Sequence, residues 1–219
     1  QVDGIEVVVV TGPDYAEVLA RIDIEAIDVC APHSEAGNIA GAAARAGKQV
    51  LIEYLPGSSE AEAGQLIAEC REAGVPLSLL RPDRRQPLVR DLKATIEAGK
   101  LGPLRYAHAA SVWSWPPVEQ EARRAWGAPV PDDAGQFLIE QATGTLDVLR
   151  WFFAVPVAKV FARDCSLEGP DAPSRYVSVV LFFADASQAV CEVGLTSSFA
   201  ANTGLQRLAL TGLRGSAYH

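Results

Sequence analysis

Methionine is absent from this 219-residue chain, and no two of its 18 glycines stand one residue apart. The second absence removes the Gly-x-Gly-x-x-Gly turn through which a strand–helix junction lets backbone approach a pyrophosphate. The first, with an opening Gln1-Val2-Asp3-Gly4 that starts in mid-pattern, leads us to expect a chain shorter than its gene product. The four cysteines, Cys30, Cys70, Cys165 and Cys191, form no C-x-x-C pair and no zinc-like spacing, so reduced and mostly buried thiols are expected, with no metal. No apolar run approaches the ~18–20 residues that span a bilayer, and no signal peptide opens the chain. Basic residues number 19 against 27 acidic and form no run; Arg81 to Arg90, the densest stretch, is short and contains acid. A net charge of −8 then argues against nucleic acid or an anionic membrane as partner, and a cytoplasmic setting fits.

What is present is the composition of a globular protein, 49% hydrophobic and 21% charged. The first third alternates strand and helix. Ile5 to Val10 is a β-branched run suited to a parallel strand buried on both faces. A short helix is expected over 14–21, a strand over 26–31, a helix over 35–46 and a strand over 49–53. Ser59 and Glu62 form an S-x-x-E capping box for a helix to about Ala73, with Gly74 as its left-handed cap. A fourth strand is expected over 75–80. Strands spaced by helices of this length specify βαβ units on a parallel sheet.

After Arg81 the character changes. Pro87 opens a helix closed by Gly99, and a long strand over 104–115 leads to a loop rich in proline and charge. One substantial helix, 136–153, is followed by strands over 157–165, 176–184, 189–199 and 206–211. Strands joined by short turns suggest a mainly antiparallel sheet.

Four ordered segments, Ile27-Asp-Val-Cys-Ala-Pro-His33, A-A-A-R-A-G-K-Q-V-L-I-E, L-K-A-T-I-E-A-G-K-L-G-P-L-R-Y and Gly135 to Asp147, together resemble the glucose–fructose oxidoreductase and inositol dehydrogenase family (Gfo/Idh/MocA). Ile27-Asp-Val-Cys-Ala-Pro-His33 is similar to that family's strand ending in Pro-Asn. A-A-A-R-A-G-K-Q-V-L-I-E, ending at Glu53, is similar to its A-L-E-A-G-K-H-V-L-C-E. L-K-A-T-I-E-A-G-K-L-G-P-L-R-Y is similar to its crossing into a second domain. Gly135-Gln-Phe-Leu-Ile-Glu140-Gln-Ala-Thr-Gly144-Thr-Leu-Asp147 is similar to its G-x-x-x-x-D-x-G-x-H-x-x-D helix. The resemblance implies an α/β Rossmann-type parallel-sheet domain over residues 1–82, dinucleotide-binding and incomplete. An α+β domain over 83–219 would follow, with an open, mainly antiparallel sheet for substrate and oligomerisation; its end is read as open to truncation. It also implies an NAD(P)-dependent oxidoreductase acting on a sugar, cyclitol or other small polar carbonyl or hydroxyl compound.

The departures fall on the site. The Gly-rich turn before Ile5 is missing, and Thr11-Gly12-Pro13 leads straight to a helix where the family has a further helix and strand. Either the domain is pruned there or segments are missing, and omission is the expectation. With no carboxylate after Val10 for a ribose 2′-hydroxyl, Thr11 leaves room for the 2′-phosphate, so NADP is favoured over NAD. The family's Glu-Lys-Pro reads Glu53-Tyr54-Leu55-Pro56 here, a Glu-Tyr variant that resembles biliverdin reductase-like members. Tyr54 replaces the Lys, Glu140 the Asp and Gly144 the His.

The resemblance therefore implies Tyr54 and Glu140 as catalytic residues, and Thr11, Pro32, His33, Glu53 and Trp126 as cofactor contacts. Each has a plainer reading. Tyr54 could pack at the domain junction, His33 could belong to a helix surface, Glu140 could be solvated and Trp126 could fill an interface. Positions 140, 144 and 147 share one helical face. Asp147 is read as orienting the backbone or pairing with an arginine, and His108 as structural. A neutral phenol at Tyr54 favours reduction, with its hydroxyl expected toward the face bearing Glu140. Loss of the Lys and His leaves a second reading open, a non-catalytic binding or regulatory subunit. Val179, Leu181 and Phe183 line one strand face and Val180 and Phe182 the other. Both faces should then be covered, the second by another copy in a dimer or tetramer.

Overall fold

The computed structural model describes residues 15–31, 33–53, 55–57, 59–114, 134–165, 175–196 and 205–218. The chain divides after Leu80 into two compact units. The first is a three-stranded parallel sheet in the order β1 (Ala26–Val29), β2 (Gln49–Glu53), β3 (Leu77–Leu80). Among the described residues, three helices belong to it: α1 (Tyr15–Ala20), α2 (His33–Arg45) and α3 (Glu60–Ala73). Ala36, Ala40, Ala43 and Ala44 are all buried, and their helical spacing gives α2 one small-residue face. That face packs with Val29, Val50, Ile52, Leu66 and Cys70 in one core. Lys48 ties the start of the unit together, its Nζ donating to the carbonyls of Arg21 (2.6 Å) and Ile24 (2.8 Å).

The ends of α3 are set locally. The Ser59 Oγ accepts from the Glu62 amide at 3.2 Å, and Gly74 takes the left-handed conformation at φ 69°. The next strand starts later than the expected Val75. The Val75 amide is spent on the Cys70 carbonyl as part of the helix cap, and Pro76 has no amide to offer. Strand β1 likewise ends at Val29, two residues before the expected Ala31.

Among the described residues, the second unit holds a six-stranded sheet and three helices, α4 (Pro82–Arg85), α5 (Pro87–Glu97) and α6 (Ala134–Phe153). Its strands are β4 (Leu104–Ser114), β5 (Val157–Cys165), β6 (Arg175–Phe183), β7 (Gln188–Thr196), β8 (Leu205–Gly212) and β9 (Ser216–Tyr218), in the spatial order β5-β6-β7-β4-β8-β9. Every neighbouring pair is antiparallel except β4 with β7, which are parallel. The sheet is therefore mixed, with the long β4 at its centre.

Residues of odd number on β6 and β7 (Val177, Val179, Leu181, Phe183, Ala189, Cys191, Val193) face the helices. They pack with Val89 and Leu92 of α5 and Val148, Leu149, Phe152 and Phe153 of α6. The Phe153 and Phe183 rings stack with centroids 4.3 Å apart.

The reverse face is less covered than the double burial expected from β6. Val180 is half-buried and Phe182 is 36% exposed. The cysteines also differ from expectation: Cys70 and Cys191 are buried, but Cys30 and Cys165 are exposed. Cys30 lies just past the end of β1, and Cys165 closes β5, an edge strand. No helix of the described residues is long and apolar enough to cross a membrane.

Candidate functional site

Chemistry-bearing side chains gather at two places, one in each unit. In the first unit they stand where β1 and β2 end. Parallel pairing sets Val29 beside Ile52, which brings the next residues, Cys30 and Glu53, side by side. Side chains alternate along a strand, so Asp28 shares their face. The Asp28 and Glu53 carboxylates and the Cys30 sulfur lie within 4.8 Å of one another, all exposed. Partial burial and the neighbouring Glu53 raise the Asp28 carboxyl above its ordinary range. Burial, then the charges of Asp28 and Glu53, push the Cys30 thiol up to about 11. At neutral pH that thiol stays protonated and is a poor nucleophile. Strand alternation places Asp28 and Cys30 on one face; only the β1–β2 register, which no local pattern reveals, adds Glu53.

In the second unit the site is built on α6. Glu140, Gly144 and Asp147 fall on one helical face, at i, i+4 and i+7. The short helix α4 lies against α6. Arg84 donates to both Asp147 oxygens, from Nε at 2.6 Å and Nη2 at 2.7 Å. Arg81 adds a contact at 3.2 Å. Burial raises the Asp147 carboxyl, but the hydrogen bonds and charges of Arg84 and Arg81 outweigh it and hold the group below the usual carboxylate range. Asp147 thus pairs with arginine and serves to dock α4. Arg84 also lies 5.3 Å from the centre of the Trp151 ring, with Lys93 at 5.2 Å.

Gly144 is the point of closest approach. A Cβ there would stand 3.0 Å from Asp83 Cγ and would collide with its Oδ2. The α4 turn is too short, at four residues, to carry a periodicity. Its signals were the proline at the helix start and the Asp83-Arg84-Arg85 cluster.

Of the residues singled out from the sequence, Glu53 ends β2 and is exposed. His33 opens α2 and Glu140 lies within α6, the side chains of both falling outside the described residues. Thr11, Pro32, Tyr54 and Trp126 lie outside them altogether, as does the strand expected over 5–10. His108 is engaged in the second sheet, its Nε2 2.7 Å from Glu192 Oε2. A cleft of about 420 Å³ opens beside Ile96, Leu104, Phe152, Phe153, Asp185 and Arg214. It is at the far end of α6, about 13 Å along the axis from Gly144 at 1.5 Å per residue, and holds none of the site residues.

Set against known proteins, the chain is 24% identical over 208 residues to the uncharacterized oxidoreductase YrbE of Bacillus subtilis (strain 168), covering 93% of this chain and 58% of that one. Its fold is similar to that of scyllo-inositol dehydrogenase from Lactobacillus casei with bound NAD(H) and scyllo-inositol (TM-score 0.75, 20% identity, 94% of this chain and 60% of that one). It is also similar to that of biliverdin reductase from Synechocystis sp. PCC 6803 in complex with biliverdin and NADP+ (TM-score 0.72, 20% identity, 95% and 63%). The chain spans about three fifths of the length of these relatives. The model of the GFO/IDH/MocA C-terminal domain matches residues 89–218, more than half of the sequence. The chain belongs to the Gfo/Idh/MocA oxidoreductase family.

Proposed function

We propose that this protein is an NAD(P)-dependent oxidoreductase acting on a sugar, cyclitol or other small polar carbonyl or hydroxyl compound. The observation that carries the reading is the family match over 89–218, on relatives' folds whose solved complexes hold NAD(H) or NADP+. The described residues fit part of such a cofactor. The ends of the parallel strands present the exposed Glu53 carboxylate, a suitable acceptor for ribose hydroxyls, close to the start of α2. They include no Gly-x-Gly turn for the pyrophosphate. A bound nicotinamide supplies or accepts the hydride.

The chain's own residues then bind, orient and move the proton. Thr11, Pro32, His33, Glu53 and Trp126 are proposed to hold the cofactor, with NADP preferred because no carboxylate stands at the end of the Ile5–Val10 run. Tyr54 gives a proton to the carbonyl oxygen as hydride arrives, since a phenol is neutral at pH 7. Glu140 supplies a carboxylate to the same step. We place the protein in the cytoplasm, acting on a small molecule as a dimer or tetramer.

The test is titration of the full chain with NADPH and NADH, followed by absorbance at the nicotinamide band with a panel of polyols and ketones. Tyr54→Phe should lower turnover about 10²–10⁴-fold, the size of a lost general acid, and leave cofactor affinity unchanged. Full activity in that variant would make Tyr54 a packing residue. One observation favours a second reading, a family member retained for binding or regulation: position 144 carries no side chain and is overlaid by Asp83. Cofactor binding with no turnover across the panel would select it.

A further inference from the structure

Arg81 and Arg84 are three residues apart on α4 and both close on Asp147. Asp83 lies between them in sequence, and its carboxylate turns onto Gly144 instead. It is half-buried and, among the described residues, has no hydrogen-bond or ion-pair partner, although two guanidinium groups stand nearby. A carboxylate without a protein partner has its acceptor positions open to a ligand. Glycine within a helix is unfavourable relative to alanine, yet only its missing Cβ lets the carboxylate occupy this place. An unfavourable helical glycine and an open carboxylate that needs it, one turn of α6 from Glu140, point to use of the group rather than to packing.

We propose that Asp83 is a substrate-binding residue. Held over Gly144, its carboxylate accepts a hydrogen bond from a hydroxyl of the polar substrate, beside the Glu140 position. The inference rests on the oxidoreductase reading above, because that reading makes the Glu140 face the active one. It adds a residue from outside α6 and assigns Gly144 a purpose. Gly144 makes room for a carboxylate delivered by α4.

The experiment uses the full chain with NAD+ and NADP+, and myo-inositol, scyllo-inositol and glucose as probes. Asp83→Asn keeps the shape and removes the charge. It should raise KM about 10–100-fold, the scale of a lost hydrogen bond to a charged group, with kcat, cofactor affinity and thermal midpoint little changed. Gly144→Ala should displace the flexible Asp83 side chain and raise KM to a similar degree. Combining the two should add nothing further, because both remove the same interaction. An unchanged KM in Asp83→Asn, in a chain that turns over a probe, overturns this inference and leaves the oxidoreductase reading standing. Failure of the unsubstituted chain to turn over any probe overturns both. If Gly144→Ala fails to fold, the Asp83→Asn result alone decides.

Discussion

Asp147 shows how one carboxylate can join two helices. Its oxygens accept from Arg84 and Arg81, which come from a segment more than sixty residues earlier. Helical spacing placed Asp147 on the face of Glu140 and Gly144, but could not say which arginine would reach it. The pairing has a pH signature. The folded-state carboxyl ionises at lower pH than in the unfolded chain, because the arginine contacts outweigh burial. Its contribution to stability is therefore complete above the ordinary Asp value of about 3.9. It disappears as pH falls through the lower, folded value. Asp147→Asn should cost about 1–3 kcal/mol at pH 7 by leaving charged donors poorly matched. Urea unfolding at pH 7, 4 and 3 should show the gap between the two proteins narrowing at the acid end. A gap of constant size would mean that Asp147 acts by shape alone.

Elements were legible in the sequence to the extent that their signals are local. The helix α3 begins and ends where Ser59, Glu62 and Gly74 say it should, since capping is decided within a few residues. The strands β2 and β5 keep their expected bounds for the same reason: alternation and flanking turns are read in short windows. What depends on distant chain was not legible. The parallel pairing of β4 with β7 joins residues some eighty positions apart, and nothing in either strand announces it. The three-residue β9 is set by its register with β8 and by Ala217 against the core. The site divides in the same way, with the Glu140–Gly144–Asp147 face read from spacing and the approach of Asp83 visible only in three dimensions. The caps of α3 allow a direct measurement. Ser59→Ala removes the acceptor of the Glu62 amide and should cost about 1 kcal/mol. Gly74→Ala forces a Cβ into the left-handed region and should cost about 1–2 kcal/mol. Each should lower the urea midpoint without changing its slope, and an unshifted midpoint for Ser59→Ala would show the cap to be idle.

At the scale of the whole molecule, the open face of the second sheet is the feature that one chain leaves unfinished. The register aligns Phe161, Val180, Val190, His108, Ala209 and Tyr218 in a row across the strands, on the face away from α6. Phe161 is 57% exposed, Phe182 36% and Tyr218 84%. Polar groups share this face, and the register puts Lys159, Arg163 and Arg207 on it as well. His108 lies against Glu192, Ser178 donates to the same carboxylate, and burial together with Glu192 pushes the neighbouring Tyr176 hydroxyl up to about 12. Open rings clustered on one sheet face make a surface suited to being covered by a partner. A two-fold contact places the same patch on both partners, so a row of apolar groups can meet a second copy of itself. We therefore expect self-association through this face. Phe161→Asp combined with Phe182→Asp would put like charges on both sides of the contact while altering only exposed positions. The unsubstituted chain should be a dimer or larger by light scattering at micromolar concentration, and the double variant a folded monomer with unchanged circular dichroism. A monomeric unsubstituted chain, or a double variant that still associates, would remove this face as the interface.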